Sequence, residues 1–112
     1  MAFYEYRVYD VAPGKMAAFH RRFADPGLRL LEKHGFKIVG IWQTSVGIGN
    51  QIHEIFEWPD FETRARAGTA MVAEEEWLRA TEEAERDGPV ILRTQNQIWM
   101  ATPYSPASPA QS

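Results

Sequence analysis

Residues 36–58 read FKIVGIWQTSVGIGNQIHEIFEW, two apolar-alternating runs joined by a Gly-rich turn. From Phe36 to Thr44, Val39 and Ile41 fall on one face of a strand, and Phe36, Ile38, Gly40 and Trp42 on the other. Both faces are apolar, so both require cover. Val46-Gly47-Ile48-Gly49-Asn50 supplies residues that tolerate positive φ. The return run Gln51–Trp58 is β-branched and aromatic. Glu54, Phe56 and Trp58 share one of its faces; His53, Ile55 and Glu57 share the other. Gly40 weakens its strand unless something must approach it closely. The stretch therefore reads as a β-hairpin against which the rest of the chain packs.

Outward from the hairpin, Ala2–Val11 alternates as a strand, with Glu5, Arg7 and Tyr9 on one face and Tyr4, Tyr6 and Val8 on the other. Pro13-Gly14 ends it. Lys15–His34 has helical spacing through Met16, Phe19, Phe23, Leu30 and Leu31. Asp25-Pro26-Gly27 predicts a kink or a restart capped by Asp25, and Gly35 a C′ residue. After the hairpin, Asp60 reads as an N-cap, with Phe61, Ala65, Gly68 and Val72 marking the buried side of the helix. Glu74–Arg86 reads as another helical stretch anchored by Trp77. Val90–Ala101 is a last strand, with Gln95, Gln97 and Trp99 on one face and Thr94, Asn96 and Ile98 on the other. The order is βαββαβ, a ferredoxin-like α+β fold: a four-stranded antiparallel sheet with helices on one face. Residues 1–102 form one domain, and 103–112 an extended Pro/Ser-rich tail.

The open sheet face is expected to carry Glu5, Arg7, Tyr9, Gly40, Trp42, Glu54, Phe56, Trp58 and Gln95 or Trp99. Such a face is too apolar for water, so a homodimer joined through the sheet face is expected, with a lined cavity in each subunit. The bulk numbers narrow the function classes. With 112 residues the chain has room for one core. A net charge of −3 supplies no nucleic-acid footprint. The absence of cysteine removes thiolate chemistry and Cys-based metal sites. No apolar run is long enough for a membrane span, and MAFYEYRVYD does not read as a secretory signal. A cytoplasmic address is the expectation.

The blocks YEYRVYDVAPGK, LLEKHGFKIVGIW, Asn50-Gln51, EEEW and ATPYSP, in that order, resemble the NIPSNAP family over about Phe3–Pro106. The resemblance implies a dimeric α+β barrel related to antibiotic-biosynthesis monooxygenases. Most members have no established activity. Many place a histidine where the cavity-facing residue of the second hairpin strand falls. Here that position is Glu54, with His53 one step off and facing the helices or an edge.

The candidate catalytic residues are Glu54, whose burial among rings raises its pKa toward the general-base range, Arg7, which can hold a carboxylate or enolate, and Tyr9, which can donate a proton. Against this stands a buried ion pair of Arg7 with Glu5 or Glu54 that only holds the dimer face. Trp42, Phe56, Trp58, Gly40, Gln95 and Trp99 are the candidate substrate-binding residues. His20 and His34, about 21 Å apart along one helix, cannot share a metal, so no metal or cofactor is expected. The reading is a cavity for a small aromatic or polyketide-like molecule, with cofactor-independent oxygenation, cyclisation or isomerisation as its chemistry. The alternative is a non-catalytic ligand-binding or protein-interaction dimer.

Overall fold

The computed structural model describes residues 1–110. The elements are β1 (Phe3–Val11), α1 (Met16–Arg22), α2 (Leu28–Lys33), β2 (Lys37–Gln43), β3 (Gln51–Trp58), α3 (Phe61–Val72), α4 (Glu75–Ala84) and β4 (Ile91–Trp99). The strands form one antiparallel sheet in the order β2-β3-β1-β4, with the hairpin on one side and β1 and β4 on the other. This is the ferredoxin-like α+β arrangement read from the sequence.

Local chemistry accounts for most of the boundaries. Asp60 is extended, and its side chain accepts the Thr63 amide at 2.7 Å, starting α3. Gly35, at φ 86°, ends α2. Its amide donates to the Glu32 carbonyl at 3.1 Å and the Phe36 amide to the Leu31 carbonyl at 3.0 Å, the paired bonds of a Schellman motif. The kink between α1 and α2 falls at Asp25, which is extended at φ −157° and ψ 121°. Asp25 does not cap the restart as expected: its carboxylate accepts from Arg29 at 3.4 Å.

One core cluster joins Phe3, Phe56 and Trp58 of the sheet to Leu30, Leu31, Phe36, Ala67 and Met71. A second joins Val11, Ile52 and Val90 to Phe19. The helices thus cover the face that carries Phe3, Glu5, Ile52, Glu54, Phe56 and Trp58. This corrects the expectation that Glu5, Arg7, Tyr9, Glu54, Phe56 and Trp58 look away from the helices. Alternation sorts residues into two faces; it does not say which face the helices take when both are apolar.

The register makes a second correction. β2 shifts between Ile38 and Gly40 against β3, pairing Gly40 with Ile55 and Trp42 with His53. The bulge at Val39 moves Gly40 and Trp42 to the outer face. Gln95 and Trp99 pair with Val8 and Tyr4 and lie on the outer face too. A third correction concerns α3, whose buried residues are Ala67 and Met71, while Phe61 and Val72 are exposed. The helix is turned so that Arg64 reaches the sheet. Of the tail expected over 103–112, the described part turns at Thr102–Ser105 and returns to β3, where the Ala110 amide donates to Glu57 at 3.1 Å and Pro109 is buried, while 111–112 lie outside the described residues. No helix among the described residues is long and apolar enough to cross a membrane.

Candidate functional site between sheet and helices

Two glutamates on the helix-facing side of the sheet are fully buried, each at 0% exposure. Their environments are opposite. Glu5, on β1, is surrounded by donors: Arg64 Nε and Nη2 at 3.0 Å each, Trp58 Nε1 at 3.0 Å, Arg7 Nη2 at 3.3 Å, and the Asn96 amide. The Arg64 contact is the two-pronged match between guanidinium and carboxylate. Burial alone would raise the Glu5 pKa, but Arg64, Arg7, Asn96 and Trp58 together lower it to about 2. Glu5 is therefore a fixed anion.

Glu54 lies across from Arg7 in the β1–β3 register. Neither of its carboxyl oxygens has a hydrogen-bond partner. An unpaired buried carboxylate is costly, and the group responds by holding its proton. Burial pushes its pKa up to about 7, against the opposing pull of Arg7 and the nearby Tyr9 hydroxyl. Tyr9 is itself raised to about 12 by burial, with the Glu54 charge adding to the effect. Arg7 donates Nη1 to the Tyr9 hydroxyl at 3.2 Å and lies 5.2 Å over the Phe56 ring. Burial opposes its charge, but Tyr9, Glu5 and Glu54 outweigh that, and its pKa is raised.

Glu54, Arg7 and Tyr9 line one cavity of about 190 Å³, walled by Phe23, Leu31, Phe36, Met71 and Trp77. A neighbouring cavity of about 320 Å³ lies toward Glu5, Arg64 and Trp58. The two share Arg7, Phe36 and Gly68. At Gly68, which lines both, a Cβ would meet nothing within 4 Å.

The structure thus brings together Glu54, Arg7 and Tyr9, with Phe56 packed beneath Arg7 and Trp58 bonded to Glu5. It leaves out Gly40, Trp42, Gln95 and Trp99, which sit on the outer face. Sequence reasoning missed Arg64, Asn96, Phe23, Met71 and Trp77 as neighbours of these cavities. Arg64 had a signal: it falls at helical spacing with Ala67, Gly68 and Met71, a charge inside an apolar stripe.

His53 faces neither helices nor cavity. It stands on the outer face, bonded through Nδ1 to the Tyr6 hydroxyl at 2.6 Å and through Nε2 to Thr44 at 2.7 Å. His20 contacts Gln43 at 3.1 Å and His34 contacts Glu74 at 2.9 Å. No group of three or more potential metal ligands occurs among the described residues.

The family model for NIPSNAP matches residues 4–106. Among solved structures, an uncharacterized NIPSNAP-like domain protein from Burkholderia xenovorans is 26% identical. It covers 99% of this chain and 94% of its own, at a TM-score of 0.82. A NIPSNAP family protein of unknown function from Agrobacterium tumefaciens is 27% identical. It covers 94% of this chain and 92% of its own, at a TM-score of 0.80. A protein from an uncultured marine organism, described as a dimeric ferredoxin-like protein, shares the fold at 14% identity and a TM-score of 0.66. The match covers 96% of this chain and 93% of that one. Among curated proteins none matches.

Proposed function

The chain belongs to the NIPSNAP family, and on that footing we propose that the cavity between sheet and helices performs proton transfer on a small carbonyl compound whose enolate is stabilised by an aromatic or second carbonyl group. The observation that carries this is Glu54: a buried carboxyl, unpaired, with a pKa of about 7, in one cavity with an arginine and a tyrosine. A general acid/base is most effective when its pKa lies near the working pH. Glu5 is too acidic for that task, and Tyr9, raised to about 12, stays protonated and serves as a proton donor rather than a base.

In the step proposed, the C–H bond next to the carbonyl breaks and its proton goes to a Glu54 oxygen. The electron pair moves onto the carbonyl oxygen. Arg7 and the Tyr9 hydroxyl stabilise that oxyanion. Phe23, Phe36 and Trp77 hold the apolar body. Return of the proton to a different carbon completes an isomerisation and needs no co-reactant. An internal electrophile taking the pair gives a cyclisation, and dioxygen taking it opens an oxygenation.

The test is hydrogen exchange. Aromatic β-keto acids and 1,3-diketones are incubated with the protein in D₂O, and loss of the α-proton signal is followed by NMR. The reading expects exchange above the buffer rate for at least one compound, lost in Glu54→Gln and strongly reduced in Arg7→Met. If Glu54→Gln exchanges as fast as the unaltered protein, Glu54 is not the base.

A non-catalytic partner role has its own support on the outer sheet face. Trp42 is 51% exposed there, and Val39 and Trp99 are also exposed. Tyr6 stacks on Trp99 at 4.9 Å between ring centres. We propose that a second copy covers this face in a cytoplasmic homodimer, with the returning tail bordering the contact.

A further inference from the structure

The geometry points to a second site, an oxyanion-binding groove between α1 and α4 that takes a phosphate or carboxylate group on Arg22. Arg22 ends α1 and is only 6% exposed. Its Nε is buried without a hydrogen-bond partner. Its guanidinium lies 5.0 Å over the Trp77 ring. Buried arginines are ordinarily paired with an acid. Arg22 has no carboxylate within ion-pair distance among the described residues, although Glu85 and Tyr9 act on it through their fields. Stacking on Trp77 fixes the plane of the guanidinium, and Arg22 lines a groove between α1 and α4. A planar fork held this way is arranged for two-pronged recognition of an oxyanion.

The surroundings support the same ligand. Of the 12 lysines and arginines, eight form ion pairs among the described residues: Arg7, Arg29, Lys33, Lys37, Arg64, Arg66, Arg79 and Arg93. The remaining four are Lys15, Arg21, Arg22 and Arg86, and all four line one groove of about 390 Å³. Three carboxylates line it as well, and of these Asp25 is held by Arg29. The floor is Ala18, Ala80 and Ala84, small residues that leave room above the helices. Among the described residues, the cations without an ion pair thus line the same groove, with Arg22 the buried guanidinium there that lacks an acid. The groove does not share a lining residue with the Glu54 cavity. Trp77, under Arg22, is also a wall of that cavity.

Inorganic phosphate is the probe. It is titrated into the intact protein at constant ionic strength, with chloride as the balancing anion, while thermal stability and backbone amide shifts are recorded. The expected result is a rise in Tm with phosphate over chloride, and saturable shifts at the Ala18, Ala80 and Ala84 amides. Arg22→Gln should weaken the fitted affinity about tenfold or more, the scale of a lost charge-assisted contact. Glu54→Gln should leave it unchanged, which separates this site from the proton-transfer cavity. Should Arg22→Gln fail to fold, the amide shifts of the unaltered protein decide. No saturable shift at the three alanines, or undiminished phosphate affinity in Arg22→Gln, would overturn the assignment.

Discussion

Two glutamates in one sheet, both sealed from solvent, carry opposite chemistry because one is given donors and the other is not. Glu5 is a depressed acid, so its stabilising contribution is present above the ordinary glutamate value of 4.5 and is lost as pH falls toward about 2. Glu5→Gln leaves Arg64 and Arg7 without their shared anion and should destabilise the fold by about 2–4 kcal/mol in urea denaturation at pH 7. Glu54 is the reverse case. Its folded pKa is raised, so its contribution is present below 4.5 and is lost as pH rises through about 7. Glu54→Gln should therefore match the unaltered protein near pH 4 and exceed it by up to about 3 kcal/mol near pH 8. A variant that gains stability while losing exchange activity is the signature of a residue retained for chemistry. The sequence announced the type and pairing of these residues: Glu5, Arg7 and Tyr9 alternate on β1, and Glu54 falls opposite Arg7 once the strands pair. It did not announce which carboxylate is satisfied. That depends on Arg64 and Asn96, which come from α3 and β4 across long stretches of chain.

At the level of elements, local signals were readable wherever short-range chemistry sets the boundary. Asp60 caps α3, and Gly35 closes α2. Asp60→Ala should lower stability by about 1 kcal/mol, measured by thermal or chemical denaturation, with the fold kept. Signals that depend on register were not readable. The bulge at Val39 moves Gly40 and Trp42 onto the outer face and separates them from Phe56 and Trp58. A bulge adds one residue without leaving a distinctive composition in a run as uniformly apolar as KIVGIW. Gly40 has the close neighbour expected of a mid-strand glycine, the Trp42 ring, which occupies the space a Cβ would need. The rotation of α3 was unreadable for another reason. Its apolar residues at 61, 65, 68 and 72 outline a plausible buried stripe, and the actual one includes a charge. An arginine is discounted in a hydrophobic pattern, yet the bond from Arg64 to Glu5 decides which side faces the sheet.

For the molecule as a whole, the fold class followed from element order, whereas the location of the cavity required knowing which sheet face the helices take. The cavity lies between sheet and helices, and its lining residues all come from a single chain. The outer face is a separate matter, with aromatic residues exposed and the tail returning along one side. Sedimentation from low to high micromolar concentration should show a dimer, and Trp42→Asp should shift the equilibrium toward monomer without altering the secondary structure. A monomeric Trp42→Asp that keeps Glu54-dependent exchange would show that cavity and interface are independent. The most direct test of the account is titration of the Glu54 carboxyl carbon by NMR in protein labelled at the glutamate δ-carbon, with Glu54→Gln identifying the resonance. The account predicts a midpoint near 7, displaced from the other glutamates. A midpoint in the ordinary range near 4.5 would mean that Glu54 is a solvated or paired carboxylate, and the proposed acid/base role would be wrong.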